Sequence, residues 1–162
     1  MKYTDVRSTI KSGDLLAWSH RGWRTWHDIK IQIERMATQS EYSHVGLAWV
    51  VGGRVFVIEA VQPKVRIYPL SKLGSFYLTP LGAPWLPTTE EAALDHVGVE
   101  YSQLDAIHAF FAPLDADCVT ECAALVLNVL KRDEIFLGSR ATPDAVVREA
   151  QLLGNPTYLI EN

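Results

Sequence analysis

Cysteine is nearly absent from this chain of 162 residues. The two that occur, Cys118 and Cys122, stand four residues apart. That number cannot build a disulfide framework, and two cysteines on one helix are poorly placed to bond each other. Clustered positive charge is missing as well. The chain carries 15 Lys and Arg against 19 Asp and Glu, a formal net charge of −4, which excludes the basic footprint of a nucleic-acid-binding protein. No apolar run reaches the length of a membrane span, and residues 1–7 lack the apolar core of a signal peptide. The expectation is therefore a cytoplasmic protein without a transmembrane segment, although a protein released by lysis or carried in a particle would look the same. Repeats and low-complexity tracts are also absent. What remains is 48 % hydrophobic and 21 % charged, the composition of one globular domain over residues 1–162 with a full core.

The most informative stretch runs from Ser40 to Val61. Two runs rich in β-branched and aromatic residues flank Gly52-Gly53, a two-residue hairpin signal compatible with a type I′ or II′ turn. With those glycines as the loop, paired positions sum to 105, so Val51 faces Arg54, Ala48 faces Val57 and Gly46 faces Glu59. Side chains alternate along a strand, which places His44 and Gly46 on one face with Glu59 and Val61. His44 and Glu59 become diagonal neighbours, close enough for their side chains to meet. Gly46 leaves a notch through which the carboxylate can lean toward the imidazole. Both strands are apolar on both faces, with Val45, Leu47, Trp49, Phe56 and Ile58 on one side and Ala48, Val50, Val55 and Val57 on the other. Such strands lie inside a sheet covered on both faces. A histidine on a strand is more often structural than catalytic, but a carboxylate in this setting needs a partner, because an unpaired buried charge is costly. The register supplies His44. An imidazole held by a carboxylate is two-thirds of a nucleophilic triad.

Elsewhere the pattern is α+β, with five or more strands. Residues 13–19, 65–68, 75–81 and 157–160 read as strands around the 44–61 hairpin. Apolar residues at helical spacing predict a helix over 25–38. Thr88-Thr89-Glu90-Glu91 predicts a helix capped by Thr88 and ending near Gly98. A short helix is expected over 102–109. Thr142-Pro143-Asp144 opens a last helix that stops before Gly154. Between these lies a segment from Asp115 to Leu130 whose centre is apolar all round, as in a buried helix.

That helix offers the missing nucleophile. A thiolate is favoured at a helix start, where the dipole, free N–H groups and a nearby imidazolium stabilise the anion. Asp117 could cap a helix with Cys118 in its first turn, and Thr120 one with Cys122 there. Leu125, Val126, Val129 and Leu130 follow Cys122 at +3, +4, +7 and +8 and would anchor the helix beneath it, whereas Glu121 follows Cys118 at +3. The stripe favours Cys122 and leaves Cys118 as the alternative. Both could also be small buried hydrophobes, as free cysteines usually are. A zinc site from Cys118, Cys122 and His108 lacks a fourth ligand and fits no common finger spacing.

Taken in order, the pieces resemble the circularly permuted, NlpC-like branch of the papain-fold cysteine peptidases, related in fold to lecithin–retinol acyltransferases. Gly13-Asp14-Leu15-Leu16 is similar to the family's opening Gly-Asp strand, and Ser43-His44-Val45-Gly46 to its Ser-His-x-Gly strand. Val57-Ile58-Glu59-Ala60-Val61 matches the strand bearing the acidic third residue, Gly98-Val99-Glu100-Tyr101 a Gly-x-x-Tyr, and Cys122-Ala123-Ala124-Leu125-Val126 the start of the cysteine helix. Thr142-Pro143-Asp144 matches a following Thr-Pro helix. Ala123-Ala124 depart from the family's Ser-Glu, which keeps Cys118 open as nucleophile. The resemblance covers nearly the whole chain. It implies a papain-like (permuted NlpC-type) fold, with an antiparallel sheet packed on a buried helix bearing the nucleophilic cysteine.

The expected function is a cysteine amidohydrolase or peptidase acting on peptide or isopeptide bonds, for example those of the stem peptides of peptidoglycan. Cys122 would attack, His44 would move the proton and Glu59 would orient His44, with no metal or organic cofactor. The same triad would serve an acyltransferase acting on a lipid or thioester, and a non-catalytic binding or structural protein on this fold is the third possibility.

Overall fold

A computed structural model describes residues 1–19, 41–82, 85–100, 122–138 and 140–162 of the chain. The helices expected over 25–38 and 102–109 lie outside the described residues, and so do His108 and Cys118.

The described elements, in chain order, begin with one helical turn α1 (Tyr3–Val6), strand β1 (Leu15–Trp18) and the hairpin strands β2 (His44–Val51) and β3 (Arg54–Val61). Strands β4 (Lys64–Pro69) and β5 (Phe76–Thr79) follow, joined by a 3-10 turn over Leu70–Lys72. Helices α2 (Pro87–Asp95), α3 (Cys122–Lys131) and α4 (Pro143–Leu152) precede the final strand β6 (Tyr158–Ile160). The strands form one antiparallel sheet of six in the order β4-β3-β2-β1-β5-β6. The architecture is α+β.

The β2–β3 hairpin has the register expected from its turn. Val51 pairs with Arg54, Ala48 with Val57 and Leu47 with Ile58. Gly52 and Gly53 both have positive φ, 56° and 72°, the left-handed backbone that a type I′ turn imposes on both loop residues. Its strands are covered on both sides, as their apolar composition requires. Val45, Leu47, Ile58 and Ala60 belong to a core with α3, α4 and Ala93 of α2. Leu16, Ala48, Val55 and Val57 belong to a second core with Tyr3, Ile10, Leu70, Phe76, Leu78 and Ile160. Each fully buried aliphatic side chain in these layers contributes about 1.5–3 kcal/mol of transfer free energy.

Helix α3 is the centre of the first core. Eight of its ten residues are buried, Asn128 and Lys131 being the exceptions. It lies over β2 and β3. Helix α4 begins as Thr142-Pro143 suggested: the Thr142 hydroxyl accepts a hydrogen bond from the Ala145 N–H, and Pro143 occupies the first turn.

Helix α2 corrects the expected cap. The capping residue is Leu86, not Thr88, and no side chain caps the helix. Pro87 is the cause: its fixed φ and missing N–H suit the first helical position, so the helix starts two residues early. Thr89 thereby becomes the third helical residue, and its hydroxyl donates to Asp133 in the turn after α3.

Candidate active site

His44 is the first residue of β2, and Glu59 lies near the end of β3. The imidazole Nε2 stands 2.7 Å from Glu59 Oε2, the diagonal contact that the hairpin register implied. Gly46 makes room for it. A Cβ built there would sit 3.2 Å from Glu59 Cβ, 2.9 Å from the Ile58 carbonyl oxygen and 2.7 Å from Val57 Cγ2. The notch is therefore tighter than alternation alone suggests: any side chain at position 46 would collide with β3 as well as crowd the carboxylate.

Cys122, the first residue of the described α3, is buried with 6 % of its surface exposed. Its thiol lies near enough to the His44 imidazole to favour the charged ring. Alternation puts His44 on the face that carries Leu16 and Ala48, whereas α3 packs on Val45 and Leu47. Thiol and imidazole thus meet around the end of the sheet, where β2 and the described α3 both begin. Strand β1 pins that end: His44 pairs with Trp18, the Trp18 carbonyl accepts from the Ser43 N–H at 2.9 Å, and the Trp18 ring lies 5.5 Å from the imidazole between centroids. Of the two candidate nucleophiles, Cys122 lies beside His44, and Cys118 lies outside the described residues.

A fourth residue completes the group. Arg66 on β4 pairs with Glu59 across the sheet. Its Nε and Nη2 donate to Glu59 Oε1 at 2.9 and 2.7 Å. The two carboxylate oxygens are thus divided, Oε2 to His44 and Oε1 to Arg66. The guanidinium also lies over the Tyr68 ring, 4.6 Å from its centroid. Arg66 escaped the sequence reading, although a signal existed. If Gln62-Pro63 is a two-residue loop, paired positions sum to 125 and Glu59 faces Arg66. The β3–β4 register is that one, with Val61 paired to Lys64.

Burial and charge oppose each other here. Glu59 is only 2 % exposed, and desolvation alone would push its carboxyl upward. The hydrogen bonds and charges of His44 and Arg66 outweigh that and hold it below the usual carboxylate range. For His44, burial alone would favour the neutral ring. The hydrogen bonds to Cys122 and Glu59, with their charges, reverse this and raise the imidazole to about 10. At neutral pH the resting site is an imidazolium between a carboxylate and a sulfur. Among the described residues, no group of three or more His, Cys, Asp and Glu is arranged to hold a metal ion.

No helix among the described residues is long and apolar enough to cross a membrane. Comparison with protein-family models finds no match, and no curated protein matches the sequence. Among solved structures, the fold is similar to that of the crystal structure of the metalloprotein yiiX from Escherichia coli O157:H7, DUF1105, with a TM-score of 0.57 and 21 % identity, over 80 % of this chain and 69 % of that one. At that identity the likeness concerns the fold alone: this chain shares the yiiX architecture.

Proposed function

We propose that this chain is a cysteine amidohydrolase on a permuted papain-like fold, acting on peptide or isopeptide bonds such as those of peptidoglycan stem peptides. One observation carries the reading: a single imidazole, His44, joins the Cys122 thiol to a buried carboxylate 2.7 Å from its Nε2. Nucleophile, proton carrier and orienting acid are the three parts of a triad, recognised by geometry and not by chain order.

The steps follow from the contacts. The Cys122 sulfur attacks the scissile carbonyl carbon. The developing oxyanion takes a hydrogen bond from the Cys122 backbone N–H together with a second donor. The His44 imidazolium gives its proton to the leaving nitrogen, the C–N bond breaks, and the acyl group stays on sulfur as a thioester. Neutral His44 then takes a proton from water as that water attacks the thioester. Cleavage of the C–S bond frees the acid and restores the starting pair. Glu59 holds the ring in place throughout. An alcohol or amine replacing water in the second half would make the same residues an acyltransferase.

Iodoacetamide at neutral pH, followed by peptide mass mapping, tests the first half. Cys122 should be modified well before Cys118, and His44→Ala should slow its modification by about tenfold or more. Reversed order would move the nucleophile to Cys118. Inertness of both would favour a non-catalytic protein on this fold. Stem-peptide fragments, lipid esters and thioesters, incubated with the protein and with Cys122→Ala and read by mass spectrometry, then separate hydrolysis from acyl transfer.

A further inference from the structure

We infer that Arg66 is a positioning residue of this site, the fixed counter-charge that lets Glu59 remain an anion while His44 alternates between its charged and neutral forms. The inference rests on the proposed triad and extends it to the half of turnover in which the imidazole has given its proton away.

The argument starts from burial. Glu59 is almost wholly removed from water, and its two oxygens have separate partners: His44 on Oε2 at 2.7 Å, and Arg66 on Oε1 through two donors at 2.9 and 2.7 Å. In the resting site either cation alone would offset the carboxylate. Once His44 has protonated the leaving nitrogen, the ring is neutral and, among the described residues, only Arg66 remains beside Glu59. Without it the site would hold an uncompensated buried anion, which is costly. The imidazole would resist giving up its proton, and after giving it up would be held poorly for its second task.

Arg66 suits this part better than a second histidine or a lysine would. A guanidinium does not deprotonate in a protein, and two donors fix the carboxylate in one orientation. Its stacking on Tyr68 and its cross-strand pairing with Glu59 hold the group rigidly. Its side chain is 41 % exposed, so the charge is stationed at the rim of the site and does not itself need a buried partner beyond Glu59.

Among the described residues, few titratable groups surround this pair. Cys122 on α3 faces the imidazole, Glu59 on β3 lies between the cations, and Arg66 on β4 faces the carboxylate. Trp18 on β1 covers the ring without titrating. The His44–Glu59 pair therefore loses its shared proton as a unit, and Arg66 favours that loss, because the product carries one more negative charge beside it.

The test uses the full chain in a Cys122→Ala background. This removes the sulfur from the titration and isolates the pair from any question of activity. The imidazole ring is followed by NMR against pH. Arg66→Met should move the final deprotonation of the pair upward by about one pH unit or more, the scale expected for a charge a few ångströms away. Arg66→Lys should restore most of the wild-type midpoint, since it keeps the charge. In the Cys122-bearing enzyme, Arg66→Met should slow deacylation more than acylation, so that the thioester accumulates. An unchanged midpoint in Arg66→Met, or equal shifts in the methionine and lysine variants, would overturn the inference. These titrations are independent of turnover: a shifted midpoint in a protein with no hydrolase activity would retain the charge role and reject the hydrolase reading.

Discussion

Two buried carboxylates stand on the same sheet and are treated in opposite ways. Asp14, just before β1, is 4 % exposed and accepts from two backbone donors, the Lys11 N–H at 2.8 Å and the Leu81 N–H at 3.2 Å. Glu59, at 2 %, is met by two side-chain cations. Desolvation raises both. At Asp14 the backbone N–H groups and the Lys11 charge do not overcome it, and the carboxyl ends above its usual range. At Glu59 the cations prevail and the carboxyl ends below. The Asp14 carboxylate ties the turn before β1 to the segment after β5 through backbone dipoles, whereas Glu59 is kept charged beside a group that can move a proton. Burial by itself marks neither as functional. The partners do.

The largest effect that separates the two acids is on turnover. Glu59→Gln should fold and should lower kcat/KM by about 100-fold, because the amide still accepts from the imidazole but no longer stabilises its cation. Asp14→Asn should lower stability by about 1–3 kcal/mol, since an amide nitrogen then faces a backbone donor, with activity per folded molecule unchanged. Denaturant melts combined with assays on the stem-peptide fragments distinguish these outcomes, and a large activity loss in Asp14→Asn at full folding would break the comparison.

The Glu59 side sharpens further at Gly46. On strand propensity alone Gly46→Val would cost little, because valine is a good strand former. The 2.7 and 2.9 Å approaches to Val57 and the Ile58 carbonyl reverse that expectation. The variant should lose about 1–3 kcal/mol by overpacking as well as activity, through displacement of Glu59. By contrast Gly52→Asn, with nothing within 4 Å of the added Cβ and φ at 56°, should stay within about 0.5 kcal/mol, since asparagine tolerates that backbone in type I′ turns. Urea midpoints of the two variants measure the difference.

The smallest effects are in the pH dependence of stability. Glu59, lowered on folding, contributes stability above its unfolded value near 4.5 and loses it as pH falls through the folded value. Asp14, raised on folding, has the opposite slope, favouring the fold as it takes up a proton. Glu59→Gln should therefore flatten the acid limb of a stability–pH curve, and Asp14→Asn should steepen it. On the alkaline side His44, raised from 6.5 to about 10, contributes fully below 6.5 and loses that contribution as pH rises through about 10. His44→Gln should flatten that limb. Parallel acid limbs for the two acid variants would mean that the two carboxyls are not distinguished by their partners.

The sequence by itself determined the hairpin and, through it, the His44–Glu59 contact. Gly52-Gly53 admits one tight turn, the turn sets the register, and a one-residue slip would have sent the two side chains to opposite faces. It also determined the buried character of α3 and the start of α4, both local consequences of apolar spacing and of Thr-Pro chemistry. The start of α2 was misread because Pro87 outweighed the Thr88 cap in the same few residues. What the tertiary structure alone decided were the long-range contacts. The approach of Cys122 to His44 depends on how α3 lies across β2 and β3. Arg66 became part of the site through a neighbouring strand whose Gln-Pro turn gave a weak signal. The closeness of Gly46 to β3 is set by interstrand packing, which alternation along one strand does not encode. Local chemistry sets turns and faces, and the meeting of His44 and Cys122, 78 positions apart, waits on the packing of the whole sheet.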